Sequence, residues 1–501
     1  MDPMLHNLHD SIVDYDMNML RAVARARGFE LKATRQPAAV DELKAYLLDV
    51  DATGWALPRL SAESRAALEA LLRAGGQMKA HIFFHHFGKP RAFGPGRLER
   101  ERPWLAPESP AEHLWFMGLL YTTFHDIGEG YRAQFAYVPS DLVPLLPEME
   151  VVAPRFEVTP VDFPADIRSR GMGLVADLFR LLVRLQMRPL PIDPTRRGLA
   201  HDALAAELGL TESADYFDFL LHVARVSELL YDAERKLRPN PGPAREWLKW
   251  PLEPQLYHLQ TAWRADPTWD ELRHISELAI EETGWRNDPA RARQAVLGHL
   301  GRCPTEACPL DTWLSVESLV RAVKTVDPDF ARPDGDYRSW YIRDMATGDY
   351  LMDFACWDDV EARLIVRLLT GPLFWLGAVD LGYEGDVLTA FRLAPPSHAL
   401  LGKTSPPPVI EAPPPTVTVL PDFTVHFEPG ARLYEQFQTT RFAQWVNEGA
   451  VYRITRSALA EAYAQGISPQ MILTFLQRLS VDSLPDNVIN ALRKWRPAVP
   501  S

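Results

Sequence analysis

A chain of 501 residues is longer than one ordinary hydrophobic core and predicts several domains. Its hydrophobic fraction of 47% excludes wholesale disorder, and a formal charge of -13 argues against a protein that coats nucleic acid indiscriminately. Three cysteines cannot make a disulfide framework, the opening MDPMLHNLHDSIVDYD has no basic segment followed by an apolar one, and charges interrupt every long apolar run. These features together predict a cytoplasmic protein without a membrane span.

The first segment, 1–58, is read as helical. Leu20, Val23 and Ala24 share a face between Asp16 and Gly28, and a second helix runs over Val40–Leu48. From 59 to 150 a different order begins. Ser61 opens SAESRAALEALLRAGG, which Gly75-Gly76 stops, and MKAHIFFHHFG follows to Gly88. After an Arg/Pro-rich loop, Ser109-Pro110 starts PAEHLWFMGLLY. Then TTFHDIGEGYRAQFAYVP turns at Gly128–Gly130 as a hairpin. Three short helices and a hairpin predict a winged helix.

The same order is expected twice more, without residue-level repetition. In 165–246 the helices LVADLFRLLVRLQ, LAHDALAAELGL and DYFDFLLHVARVSELL precede a wing, LLYDAERKLRPNPG. A connector over 247–287 reads as helical, including PTWDELRHISELAI. In 288–401 the helices are PARARQAVLGHLG, LSVESLVRAVKTV and DDVEARLIVRLLTGPLFWLG, with a hairpin at VDLGYEGDVLTAFRLAP. Two proline triplets make 402–416 a stiff, extended linker. The last domain, 417–501, alternates strand-like VTVLPDFTVHFEP, a helix LYEQFQTTRFAQWV, a short strand VYRIT and three helices. The fold class is therefore mainly α with small β-hairpins: tandem winged-helix-like domains followed by a small α+β domain.

Catalytic signatures are missing. Gly402-Lys403-Thr404 is a fragment of a phosphate-binding loop, but the expected first glycine is Ser397, and Pro406–Pro408 replace the helix that would face the phosphates. Asp270-Glu271-Leu272-Arg273-His274 has Arg273 where the acidic helicase motif needs Asp or His, and it reads as a solvated helix face. His81 and His85 have metal-competent spacing, yet Ile82, Phe83 and Phe84 lie between them, which favours histidines beside an aromatic core. His299, Cys303 and Cys308, with Cys356 as a distant fourth ligand, are a zinc alternative to buried thiols. No nucleophile elbow and no framed carboxylate pair is present, so neither enzyme activity nor a cofactor is expected.

Nucleic-acid contact candidates are Arg97, Arg100 and Arg102 in the loop shared with Arg91, then Arg196 and Arg197, and Arg235, Lys236 and Arg238 on the second wing. Glu99 and Glu101 interleave with the first group, so salt bridging within the chain is the rival reading. The third helices are mostly apolar or open on acids, as at Glu112 and at Asp358, Asp359 and Glu361. That pattern suits protein contact better than base reading.

In the region Val417–Arg496, the segments LPDFTVHFEP, VYRITRSALAEAYAQGIS and MILTFLQRLSVDSLPDNVINALRKW, with Phe442 and Trp445, resemble the N-terminal, non-ATPase domain of XPB-type helicases, also found in bacterial helicase-associated proteins. Gly94–Leu120 is similar to the N-terminal part of those bacterial proteins. Winged-helix units ahead of such a domain also resemble the organisation of the TFIIH subunit that docks XPB. The resemblance implies an accessory protein that partners a helicase or other DNA-processing ATPase. Phe423, Tyr452, Arg453 and Trp495 are then the docking candidates. Direct, non-sequence-specific DNA binding and a scaffold unrelated to nucleic acid are the alternatives.

Overall fold

The computed structural model describes residues 6–128, 130–192, 197–211, 213–281, 287–303, 311–428, 432–446 and 450–496, the side chains of 197–200 and 214 excepted. Helix predominates, and the strands form small antiparallel sheets, so the fold is mixed α+β. The chain makes two compact units: Met1–Glu157 with Ser276–Asn287 and Arg321–Arg363, and Val158–Ile275 with Asp288–Val320 and Leu364–Ser501.

In the first unit local signals set the helices. Asp16 accepts from the amides of Asn18 and Met19 and starts Met17–Ala26. Ser61 caps Ala62–Arg73, which ends at Gly75 and Gly76, both with positive φ. The strand Gln77–Lys79 comes next, then the helix Ala80–Phe87, a short helix Pro95–Glu101, and the helix Pro110–Phe116 capped by Ser109. The hairpin Tyr121–Gly128 and Tyr131–Tyr137 completes a three-stranded sheet, with Tyr131–Tyr137 central and Gln77–Lys79 on its other edge. Leu68, Leu71, Phe83, Leu114, Leu119 and Ala136 fill the core beneath it. The N-terminal helices add a second cluster, in which Leu8, Ile12, Leu20, Val40 and Leu43 pack with Tyr121 and Tyr137 of the hairpin.

The second unit repeats that order. The helix Gly173–Met187, the two-residue strand Leu190–Pro191, the helices Arg197–Glu207 and Ala214–Val226 and the hairpin Leu230–Ala233 and Lys236–Pro239 follow one another. The last strand is again central, with the first on its edge. A third run, whose residues 321–363 are assigned to the first unit and the rest to the second, has Pro289–Gly301, Leu314–Ser315, Val316–Val326, Trp357–Leu368 and the hairpin Val379–Glu384 and Val387–Leu393. Leu314–Ser315 pairs with the last strand, and Asp166–Arg168 extends the opposite edge. The C-terminal segment has a four-stranded sheet in the order Val417–Val419, Thr424–Phe427, Val451–Arg453, Gln444–Trp445. The helices Arg456–Ala464, Pro469–Leu479 and Asp486–Lys494 supply Leu459, Leu476 and Val488 to its core.

Two expectations need correction. PTWDELRHISELAI is not one helix: a single 3-10 turn, Glu271–His274, gives way to a strand, Leu278–Ile280, that pairs with Ile342–Asp344. The Asp270 carboxylate accepts from the Leu272 amide and fixes the turn. LYEQFQTTRFAQWV is helical only over Leu433–Thr439, while Gln444–Trp445 is strand. The hydroxyls of Thr439 and Thr440 bond back to the carbonyls of Glu435 and Phe437 where the helix ends. The proline-rich stretch 402–416 turns at Gly402–Thr404, contains neither helix nor strand, and is tied down within its unit: Ala412 donates its amide to the Lys249 carbonyl, and Glu411 pairs with Arg432 at 2.6 Å.

Candidate functional site

In a helix–turn–helix reader the third helix must show side chains to base edges. None of the side chains of Pro110–Phe116 is fully exposed. Its faces meet Ala62–Arg73, Met17–Ala26 and Ala80–Phe87. The acid at its start, Glu112, is buried and takes Arg91 in a bidentate grip, Nε at 2.8 Å and Nη2 at 2.7 Å. Among the described side chains of Ala214–Val226, Asp218 alone is exposed, and on Trp357–Leu368 only Asp358 is. Asp358 accepts from the Lys324 ammonium at 2.7 Å. Every exposed side chain described on these three helices is therefore an acid, which phosphate repels.

The basic candidates divide. Arg97 holds Glu101 at 2.8 Å, and Arg100 is 3.8 Å from the same carboxylate, so the chain neutralises part of this group itself. Arg102 is exposed at the end of its helix, in the left-handed region at φ 47°. Arg196 lies outside the described residues, as does the side chain of Arg197, whose backbone starts a helix. Arg235 and Lys236 are exposed at the second hairpin, without a side-chain ion pair among the described residues, while Arg238 reaches Glu234 at 3.3 Å. Glu234 and Arg235 form the two-residue hairpin loop with φ of 50° and 57°, a type I′ geometry that glycine or asparagine usually takes.

The docking candidates also divide. Tyr452 is fully buried, donates its phenol to Gln436 Oε1 at 3.2 Å and builds the core, so it is not a contact surface. Phe423 is half-buried and holds a positive φ of 70°, which lets its carbonyl accept from the Ile454 amide at 3.0 Å. Arg453 is exposed, 3.8 Å from Asp422. Trp495 packs half-buried beside Tyr463, ring centroids 5.7 Å apart.

No group of three or more His, Cys, Asp or Glu is arranged to hold a metal among the described residues. Cys308 lies outside them. Cys303 is buried with its thiol 3.7 Å from the His299 carbonyl, and Cys356 donates to the Met352 carbonyl at 3.2 Å. Burial pushes the Cys356 thiol up from its ordinary value, with the Asp359 charge adding to it, so its thiolate is disfavoured. His81 Nε2 sits 2.9 Å from Asp329, and His85 packs edge-on against Phe354. Gly402-Lys403-Thr404 forms the exit of the helix Ser397–Leu400: the amides of Lys403 and Thr404 return to the His398 carbonyl, and the Lys403 ammonium donates to the Gly301 carbonyl at 3.0 Å.

Two buried networks had no sequence signal. Glu271, read as solvated, is buried against Arg293 and accepts from Trp263 Nε1 at 2.9 Å. Asp329 gathers Lys79, His81 and Tyr337, close to the buried pair Arg332 and Glu361. An apolar cleft of about 670 Å³ lies between the helices Gly173–Met187 and Leu433–Thr439. No helix among the described residues is long and apolar enough to cross a membrane. No family profile and no curated protein matches the chain.

Proposed function

We propose that the chain is a non-catalytic adaptor: three winged-helix units used for protein contact, followed by a domain similar to the N-terminal domain of XPB-type helicases, acting with a DNA-processing ATPase supplied in trans. The element order helix, strand, helix, helix, hairpin, with the first strand on the edge of the last, supports the winged-helix reading; the first run adds the short helix Pro95–Glu101 and the third adds the strand Ile342–Asp344. The observation that carries the functional reading is the surface of the third helices, where the only exposed side chains described are Asp218 and Asp358. A base reader needs donors and a positive field at that position. Protein contact needs neither. On the C-terminal domain Phe423, Arg453 and Trp495 retain exposed surface for a partner.

Capture of the tagged full-length chain, with its companions identified by mass spectrometry, tests this. A DNA-processing ATPase should be enriched, and Arg453→Glu should deplete it. Enrichment of no nucleic-acid enzyme overturns the reading. Direct DNA binding through the wings is the second reading, favoured by Arg235 and Lys236, which stand exposed at a hairpin without ion pairs among the described residues. It requires an affinity that falls steeply with salt.

A further inference from the structure

We infer that the apolar cleft beside the helix Gly173–Met187 is a binding site for a small organic acid with an apolar body. The inference is independent of the adaptor reading, since it concerns a cavity within one unit and calls for no partner chain. A volume of about 670 Å³ falls inside the usual range for small-molecule sites. Val175, Ala176 and Phe179 form one wall, and Leu252, Leu433 and Trp445 face them across the cleft. Phe179 and Trp445 meet edge to face with ring centroids 6.0 Å apart, giving the cavity a stiff aromatic corner.

Two polar groups interrupt this lining. Gln436 is only 7% exposed, and its carboxamide is engaged at one end alone: Oε1 accepts from the Tyr452 phenol at 3.2 Å, while Nε2 has no protein partner among the described residues. Gln436 lines the cleft, so this donor is open to an acceptor on a ligand bound there. Arg180 is the second polar group. It shares the carboxylate of Asp177 with Arg170, which donates at 2.7 Å, and Tyr216 donates to the same carboxylate. One carboxylate thus faces two guanidinium groups, and this wall carries an excess positive charge. A free donor and a positive wall at the edge of an apolar cavity complement a carboxylate on a hydrocarbon or aromatic body.

Isothermal titration of the full-length chain with decanoate, decanol and decylamine, each below its micellar concentration, tests the inference. Decanoate should bind, decanol about tenfold more weakly for want of the charge-assisted contact, and decylamine not measurably. Ala176 is exposed on its helix, so Ala176→Trp should fill the cleft and abolish decanoate binding without changing the thermal melt. Gln436→Glu keeps the acceptor for Tyr452, removes the donor, and should weaken decanoate at least tenfold while leaving decanol unchanged. Decanoate and decanol binding equally, decanoate binding that survives Ala176→Trp, or no binding by any of the three overturns the inference. The last outcome is also the one expected of a cleft that serves only as a socket for a partner's side chain.

Discussion

Arg293 and Glu271 form a buried ion pair, Nε to Oε1 at 3.0 Å and Nη2 to Oε2 at 3.1 Å. The guanidinium also donates to the carbonyls of Trp263, Asp266 and Trp269, and it lies over the Trp263 ring. It thereby joins the helix Pro289–Gly301 to the end of Leu252–Ala265 and to the turn that follows. Burial holds Glu271 above the usual carboxylate range, against the opposing pull of Arg293. Arg293→Met leaves a buried acid and three carbonyls without their donor, and should destabilise the chain by about 3–5 kcal/mol in urea unfolding. Adding Glu271→Gln to that variant should recover part of the loss, because no unpaired charge then remains.

Glu361 supplies a pH dependence. It is fully buried beside Arg332, and burial pushes it up to about 7, with Asp329 raising it further and Arg332 opposing. The folded state therefore favours the protonated acid. The resulting stabilisation is complete below the ordinary value of 4.5 and is lost as pH rises through about 7. Relative to Glu361→Gln, which cannot titrate, the parent chain should lose roughly 3 kcal/mol between those limits. Urea unfolding of both proteins across that range reads the difference.

Gly377 allows no side chain. Its φ is 62°, and a Cβ would come within 2.0 Å of the Gly171 carbonyl oxygen, a backbone atom that cannot swing aside. Gly377→Ala should cost at least ~2 kcal/mol in thermal or urea unfolding. Gly385→Ala, also at positive φ but with open space around it, should cost about 1 kcal/mol by strain alone.

The hairpin tip at Glu234 and Arg235 stores strain, because both residues sit in the left-handed region. Replacing the pair by Asn-Gly, the sequence this turn prefers, should stabilise the chain by ~1–2 kcal/mol. If Arg235 contacts a partner, the same stabilised variant should lose capture efficiency, which separates the functional role of the arginine from its effect on folding.

What the sequence revealed depended on distance along the chain. Ser61, Ser109, Gly75-Gly76 and the two glycines Gly128 and Gly130 act over a few residues, and the elements they bound are where the residue pattern puts them. The short strands Gln77–Lys79, Leu190–Pro191 and Leu314–Ser315 went unseen, since two or three residues carry no period and each exists only through a partner far along the chain. The same reason hid Leu278–Ile280, whose partner is Ile342–Asp344. Side-chain roles were less legible still. Glu271 looked like a surface acid and Tyr452 like a contact residue, because only the folded chain brings Arg293 to the first and Gln436 to the second. The cleft is lined by residues from 172 to 450, and no local pattern announces a cavity of that kind.

Selection of the full-length chain on a pool of random duplexes bears most directly on the claim that the third helices serve the protein's own core and its protein contacts. No sequence should be enriched, and residual affinity at low salt should come from the basic hairpin at Arg235 and Lys236 and vanish as salt rises. An enriched motif whose binding is lost when the exposed face around Asp218 or Asp358 is altered contradicts the account, because those helices would then be reading bases.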